Sequence, residues 1–443
     1  MHHGDCLAWL RTLDADSVDA VVTDPPAGIA FMGRSWDGDK GGRAQWVAWL
    51  AEVMRECLRV LKPGGHALVW SLPRTEHWTA CAVEDAGFEI RDGVYHLCAQ
   101  GWPKSLDVSK AIDAAAGAER EVVGTKAGLP GYSLAASKGR GHSVGVGGSG
   151  DPVRECAVTA PATDDARRWS GWGTALKPAV EKWVLARKPL AGTVAENVLT
   201  HGVGALNIDG CRVEQAGARP TCAVSDRPRS NVTFETGYVN DRDKTQTTLG
   251  RWPSNAVLSH AETCGDECDD ACPVAELDRQ SGNRKVGAPT RGTQPVTKSS
   301  YSEGRARARS LVGYDDEGGA SRFFPVFHPF GYFGKAKNAS QRGGPENAHP
   351  TVKNIDLMRW LVRLVTPRGG LVLDAFGGSG STGVAALLEG CRFTAAEQDA
   401  EHYAFACRRL EAAERAQTVV SATSAADDSQ DNEAQPTLPG VKR

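Results

Sequence analysis

The chain has 443 residues, room for two or three domains of ordinary size, so a catalytic domain carrying a substantial insertion is expected rather than one small module. Its 51 Lys+Arg against 54 Asp+Glu leave a net charge of -3, which excludes a histone-like polycation and sends the search for a basic surface to individual segments. With 41% hydrophobic residues, 50 Gly and 23 Pro the chain is globular and rich in loops; no run approaches the roughly 18 apolar residues of a membrane span, so a cytoplasmic protein with no membrane partner is expected.

The first hundred residues alternate between helix and strand signals. The β-branched run 18–23 (VDAVVT) predicts a strand that stops at Asp24-Pro25-Pro26, because proline cannot donate into a central ladder. Over 44–61 the residues Trp46, Trp49, Leu50, Val53, Met54, Cys57, Leu58 and Leu61 recur at the spacing of one helix face. Lys62-Pro63-Gly64-Gly65 predicts a glycine turn, 66–71 (HALVWS) a buried strand and 76–86 a helix; Gly87-Phe88 then opens a strand pair ending near Cys98. After Gly117 the texture changes, and 139–150 (GRGHSVGVGGSG) has almost nothing to bury. Order resumes around 169–190, and a second low-complexity stretch runs over 281–321. Residues 278–342 carry twelve Lys/Arg against five Asp/Glu, a local surplus suited to a phosphate backbone. From His349 the pattern is again regular: helix 355–365, strand 370–376, helix 382–388, strand 392–397 and helix 401–414, with a disordered tail expected over 416–443.

Three groups of residues carry chemistry. Residues 371–376 (LVLDAF) running into Gly377-Gly378-Ser379-Gly380-Ser381-Thr382 read as a strand, glycine turn and helix, where backbone approaches a ligand at the carboxyl edge of a sheet. The following strand ends in Glu397, an acceptor for ribose hydroxyls. No Lys follows the glycines as a P-loop requires, so a cofactor with ribose and no phosphates fits better; a plain helix-capping turn is the alternative. At Asp24-Pro25-Pro26-Ala27, a strand-end carboxylate stands beside a carbonyl held outward by the prolines. These are two acceptors suited to an exocyclic amine, whose nitrogen they sharpen for attack on an electrophilic methyl group by positioning and electrostatics. His260, Cys264, Cys268 and Cys272 recur at every fourth position and suit tetrahedral zinc, with Cys211 or Cys222 as substitutes; a loop of free thiols is the alternative. The other cysteines sit in apolar patterns, and disulfides are not expected.

Together these motifs resemble the amino-methyltransferases of DNA, which use S-adenosylmethionine to methylate adenine N6 or cytosine N4. The catalytic signature Asp/Asn/Ser-Pro-Pro-aromatic is similar to Asp24-Pro25-Pro26-Ala27, and the cofactor signature Asp-Pro-Phe-x-Gly-Ser-Gly-Thr to residues 374–381. His349-Pro350-Thr351-Val352-Lys353 matches the segment before the cofactor strand, and Gly4-Asp5 a position near the cofactor. Catalytic motif first and cofactor motif last is the permuted order of the beta class, and the stretches 101–113, 171–190 and 204–213 look like a phage and prophage branch of it.

The resemblance implies an α/β fold, a Rossmann-like class I methyltransferase sheet with helices on both faces and a large inserted recognition region. The expected division is a catalytic half at 1–116, a recognition insertion at 117–343 with the zinc candidate, a cofactor half at 344–415 and the tail. It implies double-stranded DNA as partner and S-adenosylmethionine held by Asp374, Phe376, Gly377, Gly378, Ser379, Gly380 and Glu397, with Asp5, Thr351 and Lys353 as lesser candidates. Asp24 leans the target toward adenine N6; N4-cytosine is the neighbouring reading. A homodimer and a paired restriction endonuclease stay open.

Ala27 departs from the family, whose aromatic residue stacks on the flipped base. Phe31 or Trp36 is expected to supply the missing ring, against a plain core role for both; the alternative is a degenerate protein that binds DNA and cofactor without turnover. The run 323–337 (FFPVFHPFGYFGKAK) reads either as a pocket lining through Phe330, Tyr332 or Phe333, with Lys335 and Lys337 on phosphates, or as a buried edge strand.

Overall fold

The computed structural model describes residues 1–30, 33, 35–98, 105–127, 132–133, 145–146, 155–214, 219–222, 244–247, 250–261, 264, 267–269, 272–285, 317–327 and 352–431. They fall into two compact units, one of Met1–Ala205 with Phe330–Arg443 and one of Leu206–Pro329.

In the first unit the strands of the main sheet are β1 (His2–His3), β2 (Val18–Thr23), β3 (Leu61–Ser71), β4 (Glu89–Leu97), β5 (Val180–Arg187), β6 (Leu371–Asp374) and β7 (Arg392–Glu397). They form a sheet in the order β1-β7-β6-β2-β3-β5-β4. All pairs from β1 to β3 are parallel, and β5 alone runs against its neighbours. The two ends of the chain therefore meet at β2 and β6, where Val21 pairs with Leu373. That adjacency places the end of the first predicted strand beside the glycine turn.

Strand alternation divides the core. Val21, Ala67, Val69, Val184, Ala186 and Leu373 pack into one cluster with α1 (Cys6–Leu10), α2 (Arg43–Val60) and α3 (Glu76–Asp85), whose largest buried side chains include Trp46, Leu50 and Met54. The alternate positions Ala20, Val22, Leu68 and Val372 are equally buried and lie outside that cluster, as a period of two requires. Helix α4 (Ile355–Val365) packs on β2 and β3 and contacts α5 (Ser381–Leu388), which in turn contacts α6 (Ala400–Asp431). Asn354 caps α4 by accepting from the Leu357 amide at 3.0 Å.

The strand at 18–23, the helix at 355–365 and the strand at 392–397 form with the predicted bounds. Four expectations change. Lys62-Pro63-Gly64-Gly65 is no separate turn: β3 begins at Leu61, and its register with β2 jumps from Val18–Leu61 to Ala20–His66, so the glycines form a bulge within the strand. Residues 87–98 give one strand rather than a pair, with a register shift between Ile90 and Asp92. The expected insertion at 117–343 contributes a strand to the sheet: β5 is an interior strand carrying Trp183, Val184, Leu185 and Ala186 into the core. The final helix continues to Asp431 rather than ending at Glu414; alanines at 416, 422, 425 and 426 favour helix intrinsically, a preference outweighed in the sequence reading by the polar composition.

In the second unit, Ala256–Ser259 pairs in parallel with Val326–Phe327, and the helix Pro273–Ser281 follows Cys272. A small core joins Leu258, Ala261, Cys272 and Val274. The edge-strand reading of 323–337 is met at Val326–Phe327, while Phe330, Tyr332, Phe333, Lys335 and Lys337 lie outside the described residues. Among the described residues no helix is long and apolar enough to cross a membrane.

Candidate active site

A cleft of about 1320 Å³ opens in the first unit at the carboxyl ends of its parallel strands. Asp24, Pro25, Pro26 and Ala27 line it from the end of β2; Asp374, Phe376, Gly377, Gly378 and Ser379 line it from the end of β6; Glu397 comes from the end of β7. Asp5, Trp36 and Lys353 complete the predicted residues found there. Gly380 does not line the cleft but takes the left-handed N-cap position of α5, where an added Cβ would stand 3.1 Å from that of Ala406. Phe31 and Thr351 lie outside the described residues, as do His349 and Pro350.

The two halves are joined by hydrogen bonds. Thr23 Oγ1 donates to Asp374 Oδ1 at 2.7 Å, and the Phe376 amide donates to the same oxygen at 3.0 Å. Asp374 is thereby a buried brace between β2 and the glycine turn. Burial pushes its carboxyl above the usual range, against the bonds from Thr23, Thr382 and Phe376. Glu397 is held at both oxygens: the Gly378 amide donates to Oε2 at 2.7 Å and the Asp399 amide to Oε1 at 2.8 Å. Each oxygen keeps a second lone pair for a hydroxyl. Gly378 sits at φ 50°, which lets its amide turn toward Glu397. Asp5 Oδ1 accepts from the Ala8 amide at 2.8 Å and so caps α1.

Around Asp24 is a buried charged group that the sequence reading did not find. Lys353 Nζ lies 3.2 Å from Asp24 Oδ2 and 3.8 Å from the centroid of the Trp70 ring. Lys353, expected from its motif to hold the cofactor, is thus first a counter-ion of the Asp24 carboxylate. Trp70 Nε1 donates to Glu181 Oε2 at 3.2 Å, and His96 Nδ1 lies 3.8 Å from the same oxygen. Burial raises Asp24 to about 6, Lys353 opposing it while Glu181 and Asp374 add to it. For Glu181 the balance is reversed: burial is outweighed by Lys353, His96 and Trp70, and its carboxyl is lowered. Burial pushes the cleft thiols Cys6 and Cys98 up to about 12, with Asp5 and Glu181 respectively adding to it, so neither is a thiolate nucleophile at neutral pH.

The loop after Ala27 is fastened at several points. Thr75 Oγ1 donates to the Ala27 carbonyl at 2.9 Å, and the Gly28 amide donates to Asp37 Oδ1 at 3.0 Å. Asp37 and Trp36 share one turn of 3-10 helix, so the contacts that fix Asp37 also hold the Trp36 backbone beside the cleft, with the Trp36 residue 39% exposed. Arg409 Nη1 donates to the Ser379 carbonyl at 2.7 Å and reaches Ser379 Oγ and Ser381 Oγ, bracing the glycine turn from α6. Burial lowers its guanidinium to about 10, still charged at neutral pH. The predicted metal ligands His260, Cys264, Cys268 and Cys272 come together in the second unit, their donor atoms within 4.8 Å of one another.

Among the described residues seven carboxylates and four Lys/Arg side chains line the cleft. An acidic lining suits a cationic ligand, and a clamped carboxylate beside a glycine turn suits a ribose diol. The residues present therefore fit S-adenosylmethionine, whose sulfonium is cationic and whose ribose carries no phosphate.

Residues 18–109 and 297–408 match the family described as DNA methylase. The chain is 30% identical over 74 residues to the type II methyltransferase M.BamHI of Bacillus amyloliquefaciens, 17% of this chain and 18% of that protein. It is 43% identical over 65 residues to the DNA adenine methyltransferase YhdJ of Escherichia coli strain K12, 14% of this chain and 21% of that protein. The matched stretches thus span about a fifth of these curated relatives' length. Among solved structures, the PvuII DNA methyltransferase, titled cytosine-N4-specific, aligns over 93% of this chain and 85% of its own with 13% identity and a TM-score of 0.40.

Proposed function

We propose, from the premise that the chain belongs to the DNA methylase family, that it transfers a methyl group from S-adenosylmethionine to the exocyclic amine of a base flipped from double-stranded DNA, adenine N6 in preference to cytosine N4. The observation that carries this reading is the Thr23–Asp374 hydrogen bond, which ties the Asp24-Pro25-Pro26 strand end to the glycine turn in one cleft. Bound S-adenosylmethionine supplies an electrophilic methyl group. The chain's own part is to bind and to orient. Glu397 accepts from ribose hydroxyls, Gly377 and Gly378 leave room for close approach, and Asp24 with the Pro26 carbonyl accepts hydrogen bonds from the target amine.

Asp24 at the catalytic position supports adenine, as does the name of the Escherichia coli relative. Purified protein incubated with labelled cofactor and unmodified duplex DNA, followed by nucleoside mass spectrometry, tests the reading: N6-methyladenine supports it, N4-methylcytosine moves the target, and tight DNA binding without incorporation favours the degenerate reading that Ala27 motivates.

Two outcomes follow from the site. Replacing Glu397 by Ala removes the diol acceptor and frees two backbone amides, so cofactor affinity should fall about 10- to 100-fold, roughly 1–3 kcal/mol. Calorimetric titration with S-adenosylmethionine measures it, and unchanged affinity would remove Glu397 from the cofactor site. Replacing Trp36 by Ala should weaken duplex engagement by about 1–3 kcal/mol if its ring takes the stacking role that Ala27 lacks. The readout is KM for DNA beside cofactor affinity; a fall in the second alone would place Trp36 elsewhere.

A further inference from the structure

The four sulfur and nitrogen donors of the second unit have the dimensions of a closed metal site. Cys268 Sγ lies 3.3 Å and Cys272 Sγ 3.4 Å from His260 Nδ1. A tetrahedral zinc with ordinary Zn–S and Zn–N bonds sets N···S edges of about 3.5 Å and S···S edges of about 3.8 Å. The observed N···S distances are close to those edges, and all four donor atoms fall within 4.8 Å.

The scaffold fixes three of the four ligands from different elements. His260 follows the strand Ala256–Ser259, and its amide donates to the Phe327 carbonyl at 3.0 Å. Cys264 closes a turn in which its amide donates to the Ala261 carbonyl at 3.0 Å, and its sulfur accepts from the Asp269 amide at 3.4 Å. Cys272 is the N-cap of Pro273–Ser281. Amides directed at sulfur are the outer shell that orients thiolate ligands. Cys272 is also one of the four buried members of one small cluster among the described residues.

We infer that His260, Cys264, Cys268 and Cys272 bind one zinc ion through three thiolates and His260 Nδ1, and that this ion holds the strand, turn and helix of the Leu206–Pro329 unit together. Four protein ligands close the coordination sphere, so the ion is structural and leaves no position for substrate or water. Among the described residues the cluster beside the ligands has four buried members, and metal binding would add a cross-link to that limited apolar burial.

The test uses the full chain, purified without chelators. Elemental analysis should give about one zinc per chain, and cobalt substitution should give the intense visible bands of a tetrahedral site with thiolate-to-cobalt charge transfer. Cys268→Ser, at the most exposed ligand, should lower zinc below about a tenth per chain, whereas Cys407→Ser in the other unit should leave it unchanged. Metal near zero in the wild-type chain with all three thiols free, a disulfide among them by mass, or an octahedral cobalt spectrum would each overturn the assignment. The cobalt spectrum of the wild-type chain decides even if the serine variant does not fold.

Discussion

Replacing Asp24 by Ala is expected to lower kcat for methyl transfer by about 10²- to 10³-fold, the usual cost of removing one preorganised electrostatic group, with cofactor affinity little changed. Asp24 lies at the end of β2, whereas the clamped carboxylate of Glu397 and the turn at Gly378 lie at the ends of β7 and β6. A rate loss accompanied by an equal loss of cofactor affinity would instead make Asp24 part of the cofactor site. The wild-type pH profile carries the same mechanism. Burial raises Asp24 from 3.8 to about 6, and the ionised form is the stronger acceptor for the amine's hydrogen bond. For the free enzyme kcat/KM should therefore fall tenfold per pH unit below about 6 and level off above it. In stability the sign is opposite. The folded state holds this proton more tightly than the unfolded state, so the group's contribution is present at low pH and is lost as pH rises from about 4 to about 6.

What the sequence discloses is what repeats or stops locally. The β-branched run at 18–23 and its two prolines, and the switch from LVLDAF to glycines, are covalent features of short segments, so both ends of the cleft are predictable. The groups that tune it are not. Lys353 belongs to a readable motif, yet its role depends on reaching Asp24 from a distant segment. Glu181 within the apolar strand VEKWVLAR is a discoverable anomaly, because a buried carboxylate in an interior strand needs partners, and those partners are Trp70, His96 and Lys353. Arg409 gives no such signal: on an amphipathic helix it reads as surface charge, and only the packing of α6 on α5 brings it to Ser379. The place of residues 180–187 in the fold is obscured for a related reason. Strand β5 lies between loop-rich segments in sequence but enters the sheet between β3 and β4, a long-range pairing that no local pattern encodes.

Lys353→Met should separate the electrostatic role of this lysine from a purely structural one. The ammonium stands 3.2 Å from Asp24 and also lowers the carboxyl of Glu181, so it offsets two acids at once, the half-buried Asp24 and the buried Glu181. Methionine keeps the apolar stem against the Trp70 ring while removing the charge. Without it, burial and the neighbouring acids act on Asp24 unopposed, and its carboxyl should rise by a further 1 to 3 pH units, about the shift that one adjacent opposite charge controls. The acid limb of kcat/KM would then move from about 6 to roughly 7–9. Activity at pH 7 should drop by about twofold for a limb at 7 to about 100-fold for a limb at 9, and recover toward the wild-type plateau in alkaline buffer. A lysine that only filled space would lower the profile by one factor at every pH and leave the limb in place. Recovery at high pH thus identifies Lys353 as the group that keeps Asp24 ionised at neutral pH, and a limb that does not move would leave the carboxylate's ionisation to solvent and cofactor alone.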